Sequence, residues 1–272
     1  MKATPTMFDR LFRKAEPEAP AEAEISPTEP ASSRVYEVGW LFHTDKSSVI
    51  WEAPQPIRAE GQSQAVKSVS VCPAVIEFDR RHFVIPCPID VHMRLAIAAN
   101  GTLNVTNVLG EKSPVRQGQL NQMLVFMPQN EWRHPQRPVI QMATPYLFVS
   151  DDPVTINQFP PFLHYGPAPR PGVQLCGRFP IDVWPRHIMW AFEWHDLSKD
   201  LILKRGEPWF YVRFEGGDPS AQVRLFEAEK TQELMTYVDS LTDVTNYVNR
   251  TFSLMKTARE RRPEKLVTPK KR

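Results

Sequence analysis

HIMWAFEWH, residues 187–195, decides the fold. Ile188, Trp190, Phe192 and Trp194 alternate with His187, Met189, Ala191, Glu193 and His195. A period of two makes one heavy apolar face only on an extended strand, where successive side chains point to opposite sides. At 3.6 residues per turn the same four large side chains would scatter around a helix. The stretch IDVHMRLAI (89–97) repeats the pattern, with Ile89, Val91, Met93, Leu95 and Ile97 on one side and Asp90, His92, Arg94 and Ala96 on the other. Asn100-Gly101 follows, and LNVTNVL (103–109) returns; Asn-Gly between apolar runs is the strongest short hairpin signal. WFYVRFE (209–215) alternates after a Gly206-Glu207-Pro208 turn, and shorter alternations occupy 35–43, 66–71, 82–87, 123–127, 145–150 and 221–226. Many short strands with proline turns predict a mainly β domain over 35–226, an antiparallel β-sandwich or jelly-roll-like fold. An alternating α/β fold is excluded because that range holds almost no sustained helical period.

Outside that range the pattern changes. Residues 227–261 contain neither Gly nor Pro, and Leu234, Val238, Leu241, Thr245, Val248, Phe252 and Met255 step by 4 and 3 in turn. This predicts one long helix with a heptad seam. Such a helix either lies on its own sheet or pairs with copies of itself. The stripe is narrower than a core-docking face, which points to a homo-oligomer joined through Leu234, Val238, Leu241, Val248, Phe252 and Met255. Residues 262–272 read as a basic, disordered tail that keeps the helix soluble, and binding of nucleic acid by its charges is the lesser reading. Residues 1–34 read as a disordered segment, because AEPEAPAEAEISPTEPASS (15–33) is acidic, proline-rich and almost without apolar residues. Ahead of it, Phe8, Leu11 and Phe12 of MFDRLFRK fall at helical spacing, either as a tethered peptide for a groove on a partner protein or as a frayed tail.

Composition narrows the function classes. The 272 residues carry 33 Lys+Arg against 31 Asp+Glu, a net +2 that favours neither nucleic acid nor acidic substrates. No apolar stretch nears the ~18 residues of a membrane span, and no secretory h-region opens the chain. Cys72, Cys87 and Cys176 form no CxxC, which excludes a disulfide framework and a cysteine-rich zinc knuckle and points to a reducing cytoplasm. Phosphate-cradling GxGxxG and GxxxxGK[ST] motifs, GxSxG and HExxH are all absent.

Strand alternation supplies the best candidate site. Asp90 and His92 share one strand face, and Glu193 and His195 share another. If those strands are neighbours, the four converge as a 2-His-carboxylate set for Fe(II) or another divalent metal. The competing reading makes them polar residues on a wet face, with Arg94 and Arg213 as cross-strand partners of Glu193 or Asp90, and needs no cofactor. His43, His134 and His164 read as surface or capping residues, and Cys72 and Cys87 as free thiols or as facing residues of a hairpin. Arg178, Asp182 and Arg186 would position an anion or form a rim salt bridge. Trp184, Trp190, Trp194 and Trp209 read as core before binding platform.

Three stretches, RHFVIPCPIDV (81–91), PYLFVSDDPVTINQFPP (145–161) and GRFPIDVWPRHIMWAFEW with LILKRGEPWFYVRF (177–194, 201–214), carry a resemblance over about 72–214. They resemble an uncharacterised all-β protein family recurring in bacteria and tailed bacteriophages. The closing strands also resemble, distantly, those of dUTPase-like trimers, but the Asp-bearing and Gly-rich nucleotide motifs are missing. The resemblance implies a compact sandwich with no activity to transfer, and a phage-encoded or virion-associated protein in the host cytoplasm or virion. The function expected is a non-enzymatic binding or assembly protein. The alternative is a metal-dependent enzyme.

Overall fold

Residues 34–44, 49–57, 72–164, 166, 169–247 and 251–271 are described by the computed structural model, and the chain divides into two units after Ser33. The acidic segment with Phe8, Leu11 and Phe12, the expected strand 66–71 and Val248 lie outside the described residues. The strands are β1 (Val35–Phe42), β2 (Gln55–Pro56), β3 (His82–Pro86), β4 (Val91–Ile97), β5 (Leu103–Asn107), β6 (Leu124–Phe126) and β7 (Val139–Val149). They continue as β8 (Thr155–Phe159), β9 (Gly172–Leu175), β10 (Arg178–Pro180), β11 (His187–Trp194), β12 (Leu201–Leu203), β13 (Pro208–Glu215) and β14 (Gln222–Glu227). The helices are α1 (Pro73–Asp79), α2 (Gln117–Met123), α3 (Gln232–Tyr247) and α4 (Thr251–Arg261).

The strands make three sheets. The first runs β14-β1-β7-β11-β9, with β6 also on β7; the second runs β10-β8-β13-β3-β2; the third runs β12-β4-β5. Strand pairs are antiparallel except β1 with β14, which is parallel. The mainly β expectation therefore holds. The alternations translate directly into burial: Ile188, Trp190, Phe192 and Trp194 point into the core beside Val91, Met93 and Leu95, while Ile97 at the strand end stays exposed. One apolar cluster takes side chains from all three sheets, including Phe148, Ile156, Trp209 and Phe214. Trp190, Trp194 and Trp209 are thus core, and Trp184 lies under the Arg186 guanidinium. The Asn100-Gly101 hairpin forms as read, with Gly101 at φ 81° and Gly101 N–H donating to Ala98 O at 2.8 Å.

The C-terminal region departs from expectation twice. In place of one long helix, the heptad residues are divided between α3 and α4. Leu234, Val238 and Leu241, assigned from their spacing to a partner chain, are buried against Leu41, Leu147 and Val149 on the outer face of the first sheet. Met255 is half-buried in the same cluster; the side chain of Phe252 lies outside what is described. The stripe is wider than the heptad positions showed, since Met235 and Tyr237 join the contact. Thr231 Oγ1 accepts from Leu234 N–H at 3.2 Å and caps the first turn of α3. The segment after α4 is not a loose tail either. Leu266 and Val267 enter the same cluster, Thr268 O accepts from Glu229 N–H at 2.7 Å, and Lys270 N–H donates to Glu227 O at 3.0 Å. Two apolar residues in a run of basic ones, with these main-chain bonds, anchor it.

Candidate functional site

The four residues proposed for a metal do not come together. β4 belongs to the third sheet and β11 to the first, and the strand paired with His92 is β12, through Ile202. Three separate pairings hold them. His92 Nε2 lies 2.8 Å from Asp200 Oδ2, His195 Nε2 lies 2.8 Å from Glu193 Oε1, and Asp90 Oδ1 accepts from Arg205 N–H at 3.2 Å. Among the described residues no cluster of three or more His, Cys, Asp or Glu could hold a metal ion. The expected cross-strand ion pairs are also replaced: Arg94 grips Asp200 through two hydrogen bonds of 2.8 Å, and Arg213 pairs with Glu215 at 3.2 Å. Arg178 pairs with the same Glu215 at 3.4 Å, a rim ion pair on the second sheet.

The remaining histidines and cysteines divide similarly. His134 Nδ1 accepts from Gln136 N–H, the capping role expected of it. His43 stacks on His187 with ring centroids 4.9 Å apart beside a second cavity of about 510 Å³. Burial and the neighbouring His43 hold His187 below its ordinary value. Cys72 precedes α1 and is exposed, whereas Cys87 is buried at the end of β3, so the two do not face each other across a hairpin.

A cleft of about 540 Å³ lies where two sheet edges meet. One wall is β9, the edge of the first sheet; the other is β12, the edge of the third, with the Lys204–Glu207 turn. The mouth is framed by Pro160, Pro161, Phe162 and Pro169 from the proline-rich connection between β8 and β9. Prolines fix φ and remove N–H donors, so Pro160, Pro161 and Pro169 themselves offer no N–H to a sheet edge. Gly172 lets β9 approach β11: a Cβ there would lie 2.0 Å from Glu193 O.

Hydrogen-bond parity shows which main-chain groups face the cleft. His195 N–H donates to Pro171 O at 2.8 Å and Trp194 N–H to Pro138 O at 2.9 Å. Odd-numbered residues of β11 therefore bond β9, and Val173 and Leu175 face β11. Gly172 and Gln174 turn their N–H and C=O outward, where Gln174 O already accepts a long contact of 3.8 Å from Cys176 Sγ. On the other wall, Val108 N–H donates to His92 O at 2.8 Å, so even residues of β4 bond β5 and odd ones bond β12. Leu201 and Leu203 complete that ladder, and Ile202 turns its N–H and C=O outward.

Side chains add a few polar groups to this apolar cleft. Gln174 is 8% exposed, and neither Nε2 nor Oε1 of its amide has a hydrogen-bond partner. Arg170 donates to Trp209 O at 3.1 Å and to Pro208 O at 3.4 Å, and burial lowers its pKa. His164 Nε2 lies 3.4 Å from Glu207 Oε2, a pairing the solitary-loop reading of His164 missed. Lys204 has no ion-pair partner among the described residues. Cys87, His164 and Glu207 are the residue types of a thiol triad, yet the geometry opposes that chemistry. Cys87 Sγ donates to Ile89 O at 3.3 Å, and burial pushes its thiol up to about 12, so no thiolate is presented. Neither wall was legible in the sequence, because VQL and LIL are too short to display alternation. Compared with known proteins, the chain matches no family model, no curated protein and no solved structure.

Proposed function

We propose that this chain is a non-enzymatic binding protein, built on a sandwich-like frame, whose ligand occupies the cleft between β9 and β12. The observation that carries the reading is the cleft itself. Its volume of about 540 Å³ is that of a ligand site, its lining is mostly apolar, and a few polar groups converge on it. The unbonded amide of Gln174 supports it, because a buried amide without partners costs about 1–3 kcal/mol per group and binding proteins tolerate such costs at their sites. Among the candidate chemistries, the Cys87 thiol is held in its inert form and the Asp90, His92, Glu193 and His195 side chains are engaged separately, so neither favours the enzyme reading.

The reading is tested by ligand-observed NMR with a fragment library on the wild type and on Val173→Trp. Val173 is 45% exposed at the cleft, so the larger side chain fills the space without entering the core. Fragments that bind the wild type and lose at least tenfold in affinity to the variant support the site. Hits retained in full by the variant, or no hits at all, contradict it.

A further inference from the structure

We infer that the cleft receives an extended peptide segment of a partner protein, which adds as a strand between β9 and β12. The inference rests on the binding role proposed above and names the kind of ligand. Its ground is the pairing parity of the two walls. Gly172 and Gln174 on one side and Ile202 on the other present main-chain N–H and C=O groups into the same space, and both belong to sheet edges. Only another backbone offers donors and acceptors in alternation to both walls at once, which is how strand addition obtains its affinity.

Several of the other edges are blocked. At the far edge of the third sheet, Gln117 of α2 substitutes for a strand: its Nε2 donates to Val105 O and its Oε1 accepts from Asn107 N–H, both at 2.8 Å. The end of β14 is covered by the C-terminal segment through Lys270 N–H and Glu227 O. The second sheet ends in β10 and the two-residue β2, each closed by a proline. Proteins block edges in these ways against unwanted pairing. No such device runs along β6, β9, β12 or most of β14 among the described residues; what sets β9 and β12 apart is that their two edges line one cavity. Apolar side chains flank it, Val173 and Ile202 among them, and Lys204, which has no ion-pair partner among the described residues, supplies a cation at its rim. The segment that fits has small or β-branched residues in alternation and a carboxylate placed to meet Lys204.

The experiment pans a displayed library of random 12-residue peptides on the full-length protein and measures the enriched peptides in solution against Ile202→Pro. Proline there removes an N–H that no ladder bond uses, so the variant should melt near the wild-type temperature while peptide affinity falls at least tenfold. Leu203→Pro, whose N–H faces β4, should instead lower the melting temperature. In case Ile202→Pro misfolds, the same peptides N-methylated at alternate amides are titrated into the wild type. Loss of binding in one methylation register and its retention in the other supports strand addition. Enriched peptides indifferent to both changes overturn it. If no peptide is enriched while cleft-directed fragments still bind, strand addition is overturned and the binding role stands; if fragments fail too, both fall.

Discussion

The carboxylate of Asp151 is joined to Arg262, 111 residues later, by an ion pair of 3.1 Å that fixes the chain's last segment to the outer face of the first sheet. The same carboxylate accepts from Leu266 N–H at 2.6 Å and Val267 N–H at 3.2 Å. Asp151→Ala therefore strands two main-chain donors and removes the ion pair of a guanidinium that still donates to Asp182 O and Pro263 O, both at 2.7 Å. A loss of about 2–4 kcal/mol is expected, from about 1–3 kcal/mol for each group left without its partner, offset where water reaches. Urea denaturation of the variant checks this. Removal of residues 263–272 should cost at least as much, because Leu266 and Val267 leave the cluster; an unchanged midpoint would show that the segment is not anchored.

Leu241 is 2% exposed beneath α3, so Leu241→Asp places a carboxylate in the chain's own core. Burying an unpaired charge costs several kcal/mol. The melting transition should collapse or move down by more than ten degrees, at every protein concentration. A variant that melted normally but changed its mass in light scattering would return this residue to an intermolecular seam.

Acid should destabilise the fold in two stages. Burial holds His82 and His187 below their ordinary 6.5, so the unfolded chain takes up protons first as pH falls below that value and stability declines. Asp200, bonded to Arg94 and His92, has its carboxyl held below the usual value. Its stabilisation is fully present above the unfolded carboxylate value of about 3.9 and is lost as pH falls through the lower folded one. Calorimetry of Asp200→Asn across pH 2–8 should show lower stability at neutral pH and a flatter decline below about 4, with the histidine stage intact. An acid limb identical to the wild type would contradict the assignment.

Thiol labelling follows from exposure. Cys72 and Cys176 are exposed and should react with iodoacetamide in the native protein, whereas Cys87, donating to Ile89 O and pushed up to about 12, should react only after unfolding. Mass spectrometry of the native protein reads this directly; rapid labelling of Cys87 would reopen a nucleophilic role in the cleft.

What the sequence disclosed was set by segment length. Residues 187–195 and 89–97 are long enough for alternation to mark the strand and its more buried face, Ile97 excepted; 209–215 is a strand as read, but Trp209, Phe210, Tyr211 and Val212 are all buried, on both faces. Strands β9, β10 and β12 have four residues or fewer and carry no periodic signal. Both walls of the cleft come from such pieces, and their outward-facing groups are main-chain atoms whose direction depends on pairing register rather than residue type. The metal set failed for the same reason: Asp90, His92, Glu193 and His195 each had a definite strand face, but which strands adjoin was decided by β12 passing beside β4. In the C-terminal region the heptad spacing located Leu234, Val238 and Leu241 as buried. It could not say whose surface buries them.

Amide hydrogen exchange, followed residue by residue by NMR, tests the open cleft most directly. In the free protein Gly172, Gln174 and Ile202 should exchange at least a hundredfold faster than Val173, Leu201 and Leu203, whose N–H groups are held in the ladders. Adding a peptide enriched in the panning should slow the first three and leave the second three unchanged. Slow exchange at Gly172, Gln174 and Ile202 in the free protein would mean those edges are already paired, and would contradict the account.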